Sequence, residues 1–280
     1  MKQQKTIKAV LCFASLLLAG FSAGAQNFMR HYDHSGAVKY EPTTSNYTFY
    51  GNIKPATLAG MNNTDFAGPH SRISLSVLDN QLNTLWLKTY ATQAEVAIAM
   101  SPQMCHKLAT DFYCSDVIKT VDGGYVVCGT SQQYVERTSC PVPYYTNPFL
   151  LKTDASGNVV WYKRYNVAGG AFRGVVEDPV TRRLIACGVN GGGPRGKGLI
   201  VRTDLNGTVL SSIESSVPDP YPGASLVTHY LRIIPYTGRD GRKYFALSGN
   251  AHQGGMGIDG GILITVMDVN GSIYTNTFLS

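Results

Sequence analysis

The hydrophobic and polar positions of this chain fall into short strand-like runs, grouped four at a time. In the clearest group the runs are Asp116 to Thr120, Tyr125 to Thr130, Pro148 to Thr153 and Asn158 to Tyr165. Their length and their β-branched and aromatic content predict strands. Val121-Asp122-Gly123-Gly124 predicts a turn between the first two, because Asp and Gly tolerate the backbone angles a tight turn needs. Asp154-Ala155-Ser156-Gly157 predicts a turn between the last two. Its aspartate can bond the backbone two residues on, and its glycine takes the left-handed position. Helical periodicity is nearly absent; Thr92 to Thr110 is expected to hold a short helix.

The group recurs. Turn aspartates Asp79, Asp154, Asp204 and Asp268 mark four units, approximately 36–90, 116–165, 173–215 and 230–280. Gly157, Gly207 and Gly271 follow their aspartates by three residues, while Leu82 holds that place in the first unit. Trp86 and Trp161 follow by seven residues, with Ser211 and Thr275 in the third and fourth units. Upstream, each unit has a strand expected to end in glycine: Gly51, Gly129, Gly188 and Gly249. Tyr47, Tyr125, Leu184 and Phe245 stand four residues before those glycines. From glycine to aspartate the separations are 28, 25, 16 and 19 residues, so the second-to-third connection varies in length. In an antiparallel meander, alternate connections leave at opposite ends. The variable loops and the unit-to-unit loops therefore share one end, and the short acidic turns share the other.

A lone four-stranded sheet cannot cover both its faces, so repeated sheets must stack on their neighbours. The expected fold is all-β: a β-propeller, or an open propeller-like arc, of four four-stranded antiparallel blades. A β-sandwich is the alternative. VDGGYVVCGT followed by FLLKTDASGNVVWYKRY resembles the secreted propeller-like repeats common in Bacteroidetes proteins. More distantly, it resembles the quinoprotein-type blade with its Asp, Gly and Trp turn. The resemblance covers roughly residues 36 to 280 and implies a secreted bacterial repeat protein.

Residues 1–25 read as a signal peptide: Lys2, Lys5 and Lys8, an apolar run from Ala9 to Leu18, and Ala23-Gly24-Ala25 before Gln26. The expected location is outside the cytoplasm: periplasm, cell surface or medium. The apolar run is too short to span a bilayer, and no later segment is apolar enough to do so. The signal holds three lysines and no acid, so the formal +6 of the whole chain becomes +3 after cleavage. No basic stripe is present, which argues against a nucleic-acid partner. Low charge, 30 glycines and 17 tyrosines fit an all-β protein.

Five cysteines follow the signal. Cys128 and Cys187 each precede a repeat glycine and are expected to pack in the core. Cys105 and Cys114 flank a polar segment and are the disulfide candidates, with Cys114 and Cys140 the alternative pairing.

Several motifs have a plainer reading than chemistry. GGGPRGKG, residues 191–198, nearly fits a phosphate loop, but glycine replaces the hydroxyl residue and a strand follows in place of a helix. Asp204-Leu205-Asn206-Gly207 and Asp268-Val269-Asn270-Gly271 resemble the start of calcium loops, yet no distal glutamate follows. Hairpin turns are expected there. His31, His34, His70, His106, His229 and His252 lack the close pairing of a zinc site. No metal or cofactor is assigned. His106, Asp111, Asp116, Glu136, His229, His252 and Asp259 are available for acid–base chemistry, but no G-x-S-x-G or H-E-x-x-H motif occurs.

The segment SQQYVERTSCPVPYYTNP is the strongest recognition candidate. Tyr134, Arg137, Tyr144 and Tyr145, with Tyr221 from another loop of the same end, form the expected ligand-binding set; Tyr230 is expected beside them. Aromatic side chains on a proline-stiffened loop can stack on sugars or anchor a protein. The expected function is binding of a carbohydrate or an extracellular protein through the long-loop end. An extracellular hydrolase or lyase acting on polysaccharide, and a structural module of a larger surface protein, are the alternatives.

Overall fold

In the computed structural model of the chain, the residues described are 35–53, 72–90, 107–136, 145–167, 169–191, 196–215, 226–253 and 261–279. They form four antiparallel sheets, each a meander of four strands in chain order. The first blade comprises β1 (Ser35–Glu41), β2 (Asn46–Ile53), β3 (Arg72–Leu78) and β4 (Thr84–Tyr90). The second comprises β5 (Lys107–Lys119), β6 (Tyr125–Glu136), β7 (Tyr145–Thr153) and β8 (Val159–Arg164). The third comprises β9 (Ala171–Glu177), β10 (Leu184–Asn190), β11 (Lys197–Thr203) and β12 (Val209–Ser215). The fourth comprises β13 (Leu226–Thr237), β14 (Lys243–Gln253), β15 (Gly261–Asp268) and β16 (Ile273–Leu279).

The blades stack one on the next because the central strands of the second and third are apolar on both faces. Along β7, Phe149 and Leu151 face the first blade while Leu150 faces the third, and all three are fully buried. Three cores result, in chain order. Tyr50, Ile73, Leu75 and Val77 pack on Val117, Tyr125, Val127, Phe149 and Leu151. Val126, Cys128 and Leu150 pack on Phe172, Leu184, Leu199 and Val201. Ile185, Cys187 and Ile200 pack on Tyr230, Phe245, Leu247, Leu263 and Met267. No core joins the fourth sheet to the first among the described residues, so the blades form an open arc and not a two-layer sandwich. On the outer face of β15, Ile262 and Ile264 are 57% and 37% exposed.

The repeat residues lock successive blades together. The Trp86 ring lies over Gly157, and the Trp161 ring over Gly207, so close that a Cβ would fall 2.8 and 3.0 Å from them. Trp161 Nε1 donates to Leu205 O at 2.9 Å. Tyrosines at the ends of the two outer strands repeat the grip: Tyr90, the last residue of β4, donates to Gly157 O at 2.9 Å, and Tyr165, just after β8, to Gly207 O at 3.1 Å. Burial, reinforced by Asp154 and Asp204, pushes both hydroxyls well above the ordinary tyrosine range, so they remain donors. Where the third blade has Ser211, Arg202 does this work: Nη2 donates to Val269 O at 2.6 Å and Nη1 to Asn270 O.

Two expectations are corrected. The repeat glycines do not end their strands; β2, β6, β10 and β14 all run past them. In the last three blades each glycine lies beside a bulge in the first strand, at Cys114/Asp116, near Arg173, and at Tyr230/Arg232. The bulge brings a carbonyl to 1.9 Å from where a Cβ would sit on Gly129, Gly188 and Gly249, leaving room for glycine alone. The expected helix at Thr92 to Thr110 is also contradicted where it is described, since Lys107 to Thr110 open β5 and pair with β6. The rest of that segment, and residues 1–25, expected to be a signal peptide, lie outside the described residues.

Candidate functional site

The meander divides the molecule into two ends. All four acidic turns lie at one end and are built alike. Oδ1 of Asp79, Asp154, Asp204 and Asp268 accepts the N–H two residues on at 2.8–2.9 Å, and the N–H four residues on at 2.8 Å. These are side-chain-bonded hairpin turns, with the carboxylate oxygen occupied by backbone. Side-chain bonds from Asn83 and Asn158 hold the Asp79 and Asp154 carboxyls below the usual carboxylate range. Gly157, Gly207 and Gly271 take φ of 78°, 73° and 94°, and Leu82 is forced to 65° in the same role.

The connections of variable length share the other end. Here β5 and β6 continue their pairing beyond the bulge, from Lys107 opposite Glu136 to Phe112 opposite Ser131. Tyr134 therefore lies on β6, opposite Ala109, and Tyr145 on β7, opposite Gln133. Both were expected in a loop; the connection between the strands is only residues 137–144. Arg137, Tyr144, Tyr221, Cys105 and Cys140 lie outside the described residues. Tyr230, expected at the loop end, is instead fully buried in the core between the third and fourth blades, with its hydroxyl 2.9 Å from Thr265 Oγ1. Cys114 carries a free thiol in the structure, and burial, with Asp116 nearby, pushes it well above the ordinary range. Cys128 and Cys187 are free and buried in the cores.

Where the first strands of the blades converge, the sequence reading missed a hub. Asp116 is 4% exposed; its Oδ1 lies 2.6 Å from Lys39 Nζ and accepts Val117 N–H at 2.9 Å. Oδ2 accepts Val175 N–H from the third blade at 3.2 Å, and the Arg232 guanidinium of the fourth blade lies 4.0 Å from Oδ1. A carboxylate so engaged holds blades together and has little left for proton transfer. No spacing rule could have linked Lys39, Asp116, Val175 and Arg232, since each belongs to a different unit. Among the other acid–base candidates, only His229 has a described side chain, half-buried on β13.

At the tight-turn end two clefts are described. One, of about 300 Å³, lies between the second and third blades beside Asp122, Lys152 and Trp161. Lys152 is buried there and bonds Asp122 Oδ1 at 3.0 Å, Thr120 Oγ1 at 3.1 Å and Thr153 O at 2.9 Å. The other, of about 380 Å³, lies between the third and fourth blades beside Tyr244 and Tyr274. Among the described residues no group of three His, Cys, Asp or Glu is placed to hold a metal ion, and no helix is long and apolar enough to cross a membrane. Compared with known proteins, the chain matches no family model and no curated sequence.

Proposed function

We propose that this chain is a secreted binding scaffold whose long-loop end recognises a carbohydrate or protein ligand. The observation that carries this reading is the paired extension of β5 and β6, from Lys107–Phe112 and Ser131–Glu136, which stands beyond the bulge at the long-loop end. A stiff ladder of this kind positions the residues it leads to, and it brings Tyr134 and Tyr145 to the base of the 137–144 connection. Ser131 Oγ donates to Asn147 O at 3.1 Å inside the ladder, fixing its third strand. The engagement of Asp116 by Lys39 and backbone N–H groups favours binding over hydrolysis.

The test is a glycan and polysaccharide array, with cross-linking capture of extracellular proteins, run on residues 26–280 and on a variant whose 137–144 connection is replaced by Asn-Gly. Binding that falls at least about tenfold in the variant supports the reading. Unchanged binding removes this end from the site.

A further inference from the structure

The fourth blade departs from the repeat at its tight-turn end. Tyr236 on β13 stands directly opposite Tyr244 on β14, their rings stacked with centroids 5.6 Å apart. Tyr274 on β16 meets the Tyr244 ring edge-on at 5.5 Å. Five residues before the repeat glycine, where this blade has Tyr244, the other three have Asn46, Gly124 and Arg183. Six residues after the turn aspartate, where it has Tyr274, they have Leu85, Val160 and Leu210. The same hairpins close without tyrosine in three blades, so the fold does not require these rings. Tyr236 and Tyr274 nonetheless stay 38% and 59% exposed.

The turn beside them has changed as well. In the first two blades Oδ2 of the turn aspartate is filled by an asparagine side chain, from Asn83 at 3.0 Å and Asn158 at 2.9 Å. In the fourth blade Ser272 holds that place, and Asp268 Oδ2 meets the Tyr274 hydroxyl at 3.5 Å, longer than an effective O–H···O bond. This acceptor borders the cleft of about 380 Å³, together with Arg242, Lys243, Asn270, Tyr244 and Tyr274. Asp178 and Asp268 balance the two cations, so the lining has no net sign with which to hold an ion.

We infer that this cleft binds a neutral sugar residue of a glycan. A pyranose offers an apolar C–H face to a tyrosine ring and a rim of hydroxyls that both donate and accept. The Tyr274 ring, exposed and held in place by its edge contact with Tyr244, matches the first. Asp268 and Asn270 as acceptors, with Arg242 and Lys243 as donors, match the second. The site is at the opposite end from the long-loop surface and does not rest on it.

The test is calorimetric titration of residues 26–280 with cellohexaose, chitohexaose and mannohexaose, and with tetragalacturonate as an acidic control. At least one neutral hexasaccharide binds at millimolar or lower concentration and the acidic control binds more weakly. Tyr274→Ala lowers the affinity at least about tenfold, Tyr274→Phe keeps it within about threefold because the ring is retained, and urea unfolding of both variants matches the parent. Replacing the 137–144 connection leaves the affinity unchanged, which separates this site from the long-loop surface. Three results would overturn the inference: no neutral hexasaccharide bound at millimolar concentration, affinity unaffected by Tyr274→Ala, or equal binding of tetragalacturonate.

Discussion

Lys39 Nζ lies 2.6 Å from Asp116 Oδ1, tying the first strand of the first blade to that of the second. Because Asp116 also receives N–H groups from Val117 and Val175, its loss strands a cation and two backbone donors at once. Asp116→Ala is expected to cost about 2–4 kcal/mol, because it leaves the Val117 and Val175 N–H groups without their acceptor while the part-exposed Lys39 can be hydrated. Lys39→Met leaves the buried Asp116 carboxylate with its two backbone N–H donors but no close cation, and is expected to cost about 2–4 kcal/mol. Urea unfolding of both single variants and the double variant checks this; a non-zero coupling energy is expected.

The tryptophan-on-glycine contacts predict an asymmetry between removing and blocking. Gly207→Ala must place a Cβ 3.0 Å from the Trp161 ring at a φ of 73°, so strain and overlap add to a loss of roughly 2–4 kcal/mol. Trp161→Phe withdraws the Cζ3 and Cη2 atoms that cover Gly207 and loses the bond to Leu205 O but introduces no overlap, costing about 1–2 kcal/mol. Thermal melts followed by circular dichroism rank the two.

Leu82 pays for a conformation its three counterparts give to glycine. Leu82→Gly relieves a φ of 65° and is expected to raise stability by about 0.5–1 kcal/mol. A higher urea midpoint with an unchanged m-value is the readout.

Acid exposes the turn at Asp122. Burial alone would raise its carboxyl, but bonds from Thr120, Lys152 and the Gly124 N–H outweigh that and hold it at about 2. A depressed folded value stabilises above the unfolded value, about 4, and the contribution is lost as pH falls toward 2. Asp122→Asn is therefore expected to flatten the stability profile between about pH 4 and pH 2 and leave its shape above pH 5 unchanged. Unfolding midpoints across that range test it.

The blades were legible because a repeat reports itself. Asp154 and Gly157 recur at fixed spacing and form the hairpin turn that their residue types predict, whereas the contact of Trp86 and Trp161 with the next blade's glycine is not readable from spacing. The repeat glycines were legible as a pattern but not in meaning, because the bulge that makes Gly129 necessary lies in another strand, at Cys114/Asp116. Tyr134 and Tyr145 were placed at the correct end but off their strands, since polar Gln132 and Gln133 gave no sign that the ladder continues. The Tyr236, Tyr244 and Tyr274 cluster was missed entirely. Its members come together only through β13–β14 register and the turn after β15, neither of which is written in any local stretch of sequence.

Each blade leans on the next in chain order. NOE spectroscopy on protein labelled at tryptophan and glycine tests this at its contacts. Trp86 ring protons should show NOEs to Gly157 Hα, and Trp161 to Gly207 Hα, with both glycine Hα signals moved upfield by the indole above them. Tryptophan NOEs to residues of non-successive units, with none to Gly157 or Gly207, would contradict the stacked-blade fold.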